Sequence, residues 1–269
     1  MCAAGIVLCG GQSERMGRAK AWLPWRGQPM VSHVVGVLLR VVDEVVVVAS
    51  EELDLPPLEA RVVRDREPAL GPLAGIREGL AQIEAELAYV TGTDAPFLTP
   101  AFVQALLCHQ GAAALELDGY VQTLAAVYPR AGLPRAEALL ETGRMRPLHL
   151  LEAMDYRKLG AHELPDLDSV RGFNTPAEYL RAVREWDGDA TATLAFRESA
   201  SIGAGPRVLA VPVGTLTEVL AHAPRAPRLL PGEDGAEYVL ASFGRRRVVR
   251  DGAIPIGPGE QVIVPDAFP

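Results

Sequence analysis

The sequence of 269 residues is poor in cysteine, has no excess of positive charge and contains no long apolar run. Its three cysteines, Cys2, Cys9 and Cys108, show no metal-ligand spacing, and their odd number gives no disulfide framework. We therefore expect the protein to reside in the reducing cytoplasm. The formal net charge of −8 argues against nucleic acid as a partner, because non-specific binding requires a basic surface. No apolar stretch approaches the roughly 20 residues that span a bilayer, and no basic segment precedes an apolar core at the N-terminus. We therefore expect neither a membrane span nor a signal peptide.

Apolar runs alternate with helical patterns over most of the chain. The runs at 5–9, 44–49 and 87–91 are continuous, which is typical of strands that are covered on both faces of a parallel sheet. Segments with apolar residues at helical spacing, at 29–42 and 73–84, lie between such runs. This order predicts an α/β domain with a doubly wound, mostly parallel sheet of the Rossmann-like kind, whose ligands bind at the carboxyl ends of the strands.

The pattern changes after 187–189, an Asp-Gly-Asp sequence that is typical of a linker. We therefore predict one domain over 1–187 and a second over 190–269. The second segment has two strand-like runs, a short helix at 214–222 and further short strands, which together predict a small α+β unit. Its three consecutive arginines at 245–247 are interpreted as a solvated basic turn.

A glycine-rich segment with basic residues follows the first predicted strand. Its sequence is Leu8-Cys9-Gly10-Gly11-Gln12-Ser13-Glu14-Arg15-Met16-Gly17-Arg18-Ala19-Lys20. Backbone N–H groups and cations at the carboxyl end of a strand suit a polyphosphate. The spacing matches neither a Walker loop nor a dinucleotide fingerprint. It resembles the G-G-x-S-x-R-M-G-x-x-K loop of nucleotidyltransferases, in particular the MobA-like family of molybdenum cofactor guanylyltransferases.

The resemblance implies that this loop holds a nucleoside triphosphate. The backbone at the end of the strand would approach guanine and ribose, and the loop would wrap the phosphates, whose charge Arg15 and Lys20 would neutralise. A solvated glycine-rich turn is the alternative. Cys9 is interpreted as a small buried residue and not as a nucleophile. The loop residues that the resemblance assigns to the nucleotide are Leu8, Cys9, Gly10, Gly11, Ser13, Gly17 and Lys20.

A second motif, Gly71-Pro72-Leu73-Ala74-Gly75, follows the predicted strand that ends near Asp65. In the family, a similar segment begins a helix and keeps backbone near the base. By resemblance, Asp65 would bind the guanine or ribose side, together with Gly71, Pro72 and Leu73. An Asp after a strand is otherwise more often a turn or cap residue.

A third motif places Asp94 two residues before Pro96, at the tip of a central predicted strand. It resembles the family's metal-binding D-x-P motif, which implies that Asp94 binds Mg²⁺ and, with Arg15 and Lys20, forms the catalytic set. Mg²⁺ prefers such hard oxygen ligands. A helix-capping role for Asp94 is the alternative, but Thr99 supplies a cap for the next helix itself.

A fourth motif, Arg171-Gly172-Phe173-Asn174-Thr175-Pro176, is similar to the family pattern N-x-N-T-P, with Gly172 in place of the first asparagine. Asn174 would contact the acceptor or metal by resemblance, and capping of the following helix is an equal alternative for it.

The resemblance implies a cytoplasmic, Mg²⁺-dependent transfer of GMP from GTP to molybdopterin or molybdenum cofactor, with release of pyrophosphate. Two alternatives remain open: a related transferase that uses CTP or a sugar or polyol phosphate acceptor, and a non-catalytic adaptor in the same biosynthesis. The strand order after residue 190 also resembles the β-grasp fold of the small sulfur-carrier proteins of molybdopterin and thiamin synthesis. Those carriers end in Gly-Gly and this sequence ends Asp-Ala-Phe-Pro, so we expect docking of other cofactor-biosynthesis proteins rather than sulfur carriage.

Overall fold

The computed structural model of the protein describes residues 2–10, 14–65, 67, 70–196, 208–223 and 237–264. The strands are β1 (Ala3–Cys9), β2 (Pro24–Trp25), β3 (Gln28–Pro29), β4 (Glu44–Ser50), β5 (Arg61–Asp65), β6 (Leu87–Gly92), β7 (Ala113–Leu117), β8 (Tyr120–Pro129), β9 (Arg157–Leu159), β10 (Thr191–Phe196), β11 (Val208–Pro212), β12 (Gly214–Thr215), β13 (Tyr238–Ser242), β14 (Arg245–Val249), β15 (Pro255–Ile256) and β16 (Gln261–Val264). The helices are α1 (Met30–Leu38), α2 (Pro72–Gln82), α3 (Pro100–Leu107), α4 (Leu133–Glu141), α5 (Pro147–Ala153), α6 (Pro176–Trp186) and α7 (Leu216–Leu220).

The described residues fall into two units, one drawn from Met1–Gln12 and Met30–Gly172 and the other from Ser13–Pro29 and Phe173–Pro269. The second unit therefore contains a segment of the glycine-rich loop and α6 as well as the C-terminal sheet. The division of the chain into domains at 187–190 stays a prediction.

The first unit is built on a seven-stranded sheet in the order β5-β4-β1-β6-β8-β7-β9. Strands β5, β4, β1 and β6 pair in parallel, and β8 runs antiparallel to both β6 and β7. The predicted doubly wound, mostly parallel sheet is confirmed. The continuous apolar sequences of β1 and β4 are explained by their burial, because helices cover the sheet and leave both strands almost wholly buried.

Helix α2 covers the centre of this sheet with an apolar face. Leu73, Ile76 and Leu80 are fully buried in a cluster that includes Ile6 of β1 and Val46 of β4. Each such side chain contributes about 2 kcal/mol by leaving water. This packing fixes the start of α2 beside the carboxyl ends of the strands.

The second unit contains a five-stranded sheet in the order β11-β10-β16-β13-β14, in which β10 and β16 are parallel and the other pairs are antiparallel. The short helix α7 begins at a capping box of Thr215 and Glu218 and buries Leu216, Val219 and Leu220 against this sheet. A small α+β domain at the C-terminus is thus confirmed. The likeness of this domain to sulfur-carrier proteins stays a prediction. The C-terminal residues 265–269, which lack the Gly-Gly of those carriers, lie outside the described residues.

None of the helices in the described ranges is both long enough and apolar enough to cross a bilayer.

Candidate active site

The carboxyl ends of β1 and β6 lie side by side in the first unit. Leu8 of β1 is in register with Gly92 of β6, and the Thr93 amide donates a hydrogen bond of 3.3 Å to the Leu8 carbonyl. Asp94 follows directly and is half-buried. The exposed Gly10 continues β1 at the same edge. The structure therefore brings the predicted base-binding backbone and the predicted metal ligand together on adjacent strands.

Two glycines make room for Asp94. A Cβ atom on Gly92 would lie 2.7 Å from Asp94 Oδ1, and a Cβ atom on Gly172 would lie 2.8 Å from the Asp94 carbonyl oxygen. The second contact involves backbone, which cannot rotate away as a side chain can. Gly172, which departs from the family pattern, is thus a position where only glycine fits without a shift of the Asp94 turn.

With Asp94 in its predicted catalytic role, we expect Gly172→Ala to lower the catalytic rate by about 10- to 100-fold, because a displacement of reacting groups by about 1 Å has effects of that size. The matched control is Gly36→Ala in α1, where an added Cβ meets no atom within 4 Å. Steady-state kinetics of both variants check this. Equal activities of Gly172→Ala and Gly36→Ala would contradict the prediction, because they would show that the Asp94 turn accommodates the added Cβ atom without loss of activity.

Asp94 fits a magnesium ligand by its chemistry and place. Mg²⁺ is usually held by one or two carboxylates together with substrate phosphates, and not by a cage of protein ligands. The described part of the chain holds no group of three or more His, Cys, Asp and Glu side chains that could bind a metal, and a role for Asp94 toward Mg²⁺ stays a prediction. The alternative role of Asp94 as a helix cap is not needed for α3. Thr99 caps that helix, as predicted, because its Oγ1 accepts a hydrogen bond of 3.3 Å from the Phe102 amide.

Cys9 is buried, as predicted, with 3% of its surface exposed. Burial raises the pKa of the Cys9 thiol well above its ordinary value; a hydrogen bond with Thr93 opposes this rise and the charge of Asp94 adds to it. The thiolate is the reactive form of cysteine, so this residue is inert at neutral pH.

We expect iodoacetamide to alkylate the exposed Cys2 and Cys108 in the native protein and to leave Cys9 unmodified. We also expect Cys9→Ala to keep full activity, since the resemblance assigns only the backbone of this residue to the nucleotide. Peptide mass spectrometry and kinetics check the two results. Rapid labelling of Cys9 in the folded protein would contradict them.

The start of α2 has the backbone geometry that the second motif requires. Gly71 precedes the helix with φ = 74°, a conformation that favours glycine, and Pro72 occupies the first turn. Leu73 is fully buried in the core, and a role for its backbone toward the base stays a prediction. Asp65 is buried as well, and its Oδ1 accepts a hydrogen bond of 2.9 Å from the Glu67 amide. That contact is a turn interaction, and a role for Asp65 toward a nucleotide stays a prediction.

In the second unit, Lys20 and Asn174 are brought together. The Lys20 ammonium donates to the Phe173 carbonyl at 2.7 Å and to Asn174 Oδ1 at 3.0 Å. It also lies 5.7 Å from the centre of the Phe173 ring, a cation–π contact. The cation of the loop and the fourth motif thus form one polar cluster.

Helix α6 is capped by Thr175 and not by Asn174. Thr175 Oγ1 accepts from the Glu178 amide at 3.3 Å, and the Glu178 carboxylate accepts from the amides of Asn174 and Thr175. These backbone hydrogen bonds, that of Asn174 first, lower the pKa of Glu178. The capping alternative for Asn174 was therefore wrong, and its side-chain oxygen binds Lys20 instead.

The described part of the loop begins with a 3₁₀ turn, Glu14–Met16, in which Arg15 is exposed and Met16 is buried. Gly17 follows with φ = 62°, in the left-handed region. Gly11 and Ser13 lie outside the described residues.

The family model of the MobA-like NTP transferase domain matches residues 5–156 of this chain. The chain is 34% identical over 187 residues to a probable molybdenum cofactor guanylyltransferase of Mycobacterium tuberculosis, covering 65% of this chain and 93% of that protein. A protein of the same description from Mycobacterium ulcerans is 34% identical over 190 residues, covering 67% and 93%.

Two solved structures are similar in fold. Molybdopterin-guanine dinucleotide biosynthesis protein A of Archaeoglobus fulgidus matches 69% of this chain and 99% of its own, with a TM-score of 0.58 and 22% identity. The 2-C-methyl-D-erythritol 4-phosphate cytidylyltransferase of Thermus thermophilus matches 68% and 97%, with a TM-score of 0.53 and 18% identity. Part of this chain lies outside each of these matches.

Proposed function

Because the chain belongs to the family of MobA-like NTP transferases, we propose that it transfers GMP from GTP to molybdopterin or molybdenum cofactor in an Mg²⁺-dependent reaction. In this reaction a terminal phosphate oxygen of the acceptor attacks the α-phosphorus of GTP. The bond between the α-phosphorus and the bridging oxygen breaks, and pyrophosphate leaves with that oxygen. The product is a guanine dinucleotide form of the cofactor, made in the cytoplasm.

The arrangement that supports this proposal best is the placement of Asp94 at the carboxyl end of β6, beside the Leu8–Gly10 backbone of β1. In this proposal, Asp94 holds Mg²⁺, and the backbone of Leu8, Cys9 and Gly10 lies along the nucleoside. Mg²⁺ held there would neutralise the charge that develops on the phosphates.

The other proposed roles concern charge and orientation. Lys20 and Arg15 neutralise the triphosphate and the departing pyrophosphate, and the loop from Gly11 through Ser13 to Gly17 wraps these groups. Asn174 orients the Lys20 ammonium through the contact of 3.0 Å. Gly71, Pro72 and Leu73 supply backbone beside the base, with Asp65 on the guanine or ribose side. Since no covalent intermediate is involved, positioning and charge neutralisation account for the catalysis.

Thermal unfolding in the presence of each of GTP, CTP, ATP and UTP, with and without Mg²⁺, tests the nucleotide claim. A ligand that binds the native state alone stabilises it, by about 2.7 kcal/mol at a concentration of 100 times Kd. We expect GTP with Mg²⁺ to raise the unfolding temperature most. A larger rise with CTP would move the specificity to another base, and no response to any triphosphate would favour a non-catalytic adaptor.

A further inference from the structure

Arg18 lies inside the phosphate-binding motif, yet it is buried and paired within the second unit. Its two terminal nitrogens donate to the two carboxylate oxygens of Glu260 at 2.7 Å each, and Nη1 also donates to the Pro255 carbonyl at 3.2 Å. The side chains are only 3% and 1% exposed. Such a two-point pair fixes the orientation of the guanidinium as well as its position.

Two further contacts join the segment from Gly17 to Trp22 to strand β14. Arg247 donates to the Gly17 carbonyl at 3.0 Å, at the residue where the loop turns through its positive φ. The Arg245 guanidinium lies 4.3 Å from the centre of the Trp22 ring. The predicted basic turn at 245–247 is wrong, because these arginines begin strand β14. They are exposed, yet Arg247 contacts Gly17 and Arg245 contacts Trp22.

The charges of the pair match without a ligand, although Arg18 Nε is buried with no hydrogen-bond partner among the described residues. Burial disfavours the charged guanidinium, but the Glu260 carboxylate outweighs this effect and raises the pKa of Arg18. Glu260 also accepts a hydrogen bond of 2.9 Å from the Gly257 amide. Because its charge is already matched by Glu260, Arg18 is suited to anchor the loop and not to bind phosphate. A buried ion left without its partner is strongly unfavourable, so the two residues hold each other in place.

We propose that Glu260 is a positioning residue for nucleotide binding. Through Arg18 it holds the segment from Gly17 to Lys20 in the conformation in which Lys20 binds phosphate. The C-terminal sheet then acts as a built-in support of the phosphate-binding loop, and not only as a docking module. The kinetic part of this inference rests on the proposed function, and the structural part does not.

The inference predicts a specific kinetic signature. When a loop is in its binding shape for only a fraction of the time, the apparent Kd of its ligand rises by the inverse of that fraction. We therefore expect Glu260→Gln to raise KM for the nucleotide by about tenfold and to leave kcat nearly unchanged, because saturating nucleotide restores the loop. Simple loss of folded protein would instead lower the apparent kcat at constant KM.

Hydrogen–deuterium exchange without nucleotide tests the support directly. We expect Glu260→Gln to speed exchange in peptides that cover 14–23, while peptides of β1 and β6 stay protected. Glu237→Gln is the matched control, since Glu237 is an exposed carboxylate that pairs with Arg250 in the same unit. Unchanged exchange at 14–23 would overturn the inference, whether or not the protein binds GTP.

The double variant Arg18→Met/Glu260→Met separates positioning from stability. Replacing both buried charges by apolar side chains leaves no unpaired ion, and such replacements are often neutral for stability. We expect the double variant to unfold near the wild-type temperature and yet to keep the raised KM. A KM that returns to the wild-type value together with stability would overturn the positioning role. If the wild type turns over no nucleotide, the proposed function fails and the exchange result alone decides the inference.

Discussion

Asp94→Asn is expected to lower kcat for nucleotidyl transfer by about 1000-fold, because several kcal/mol of charge stabilisation at the phosphates would depend on the metal that we propose this carboxylate holds. Asparagine has almost the same shape, so it fits against Gly92 and Gly172 as the aspartate does. The change removes the charge of a hard ligand and leaves the packing of the turn intact. Kinetics at saturating nucleotide and Mg²⁺ measure the loss.

The matched control is Asp118→Asn, at an exposed turn of the same unit. Asp118 has φ = 52°, and asparagine adopts such left-handed conformations readily, so this variant is expected to keep full activity. Thermal unfolding of both variants should stay close to that of the wild type. Retention of more than a tenth of the activity by Asp94→Asn would exclude Asp94 as the essential metal ligand.

Lys20→Met is expected to lower kcat/KM by about 100-fold, since one preorganised donor at a developing charge has an effect of that order. Methionine keeps an unbranched apolar chain of similar length and loses the ammonium that binds Phe173 and Asn174. The loss should fall on triphosphate binding and on the departure of pyrophosphate. Kinetics with varied nucleotide concentration separate these two effects.

The sequence contains only two lysines, Lys20 and Lys158, which supplies an internal control. Lys158 is exposed and pairs with Glu116 at 3.3 Å on the surface, so we expect Lys158→Met to leave kcat/KM unchanged. In the wild type, GTP with Mg²⁺ should protect Lys20 and leave Lys158 open to an amine-reactive reagent. Equal modification of both lysines with and without GTP would contradict a phosphate contact of Lys20.

Local patterns were sufficient for the fold and for much of the candidate site. The continuous apolar strands predicted a parallel sheet because burial on both faces selects such sequences, and the start of α3 at Thr99-Pro100 followed from capping rules. The placement of Asp94 also followed, since the carboxyl ends of parallel strands share one edge. At Asn174, the Thr175-x-x-Glu178 capping box was visible in the sequence and identifies the true cap.

What escaped prediction depends on residues far apart in the chain. Arg18 is 242 residues from Glu260, and a charged residue in a glycine-rich loop is ordinarily solvated, so no local pattern predicts its burial. The contact of Gly172 with the Asp94 backbone likewise depends on the folded path of both segments. Gly172 departs from the family pattern in the sequence, and in the structure a Cβ atom at this position would lie 2.8 Å from the Asp94 carbonyl oxygen.

Pyrophosphate release with molybdopterin as acceptor is the measurement that tests the central claim most directly. The purified protein is incubated with Mg²⁺, molybdopterin and each of GTP, CTP, ATP and UTP, beside the Asp94→Asn variant. The proposal predicts release with GTP alone, dependent on molybdopterin and absent in the variant, together with a product of the mass of the guanine dinucleotide. Release with another nucleotide, or none with any of the four from folded protein, would contradict guanylyl transfer.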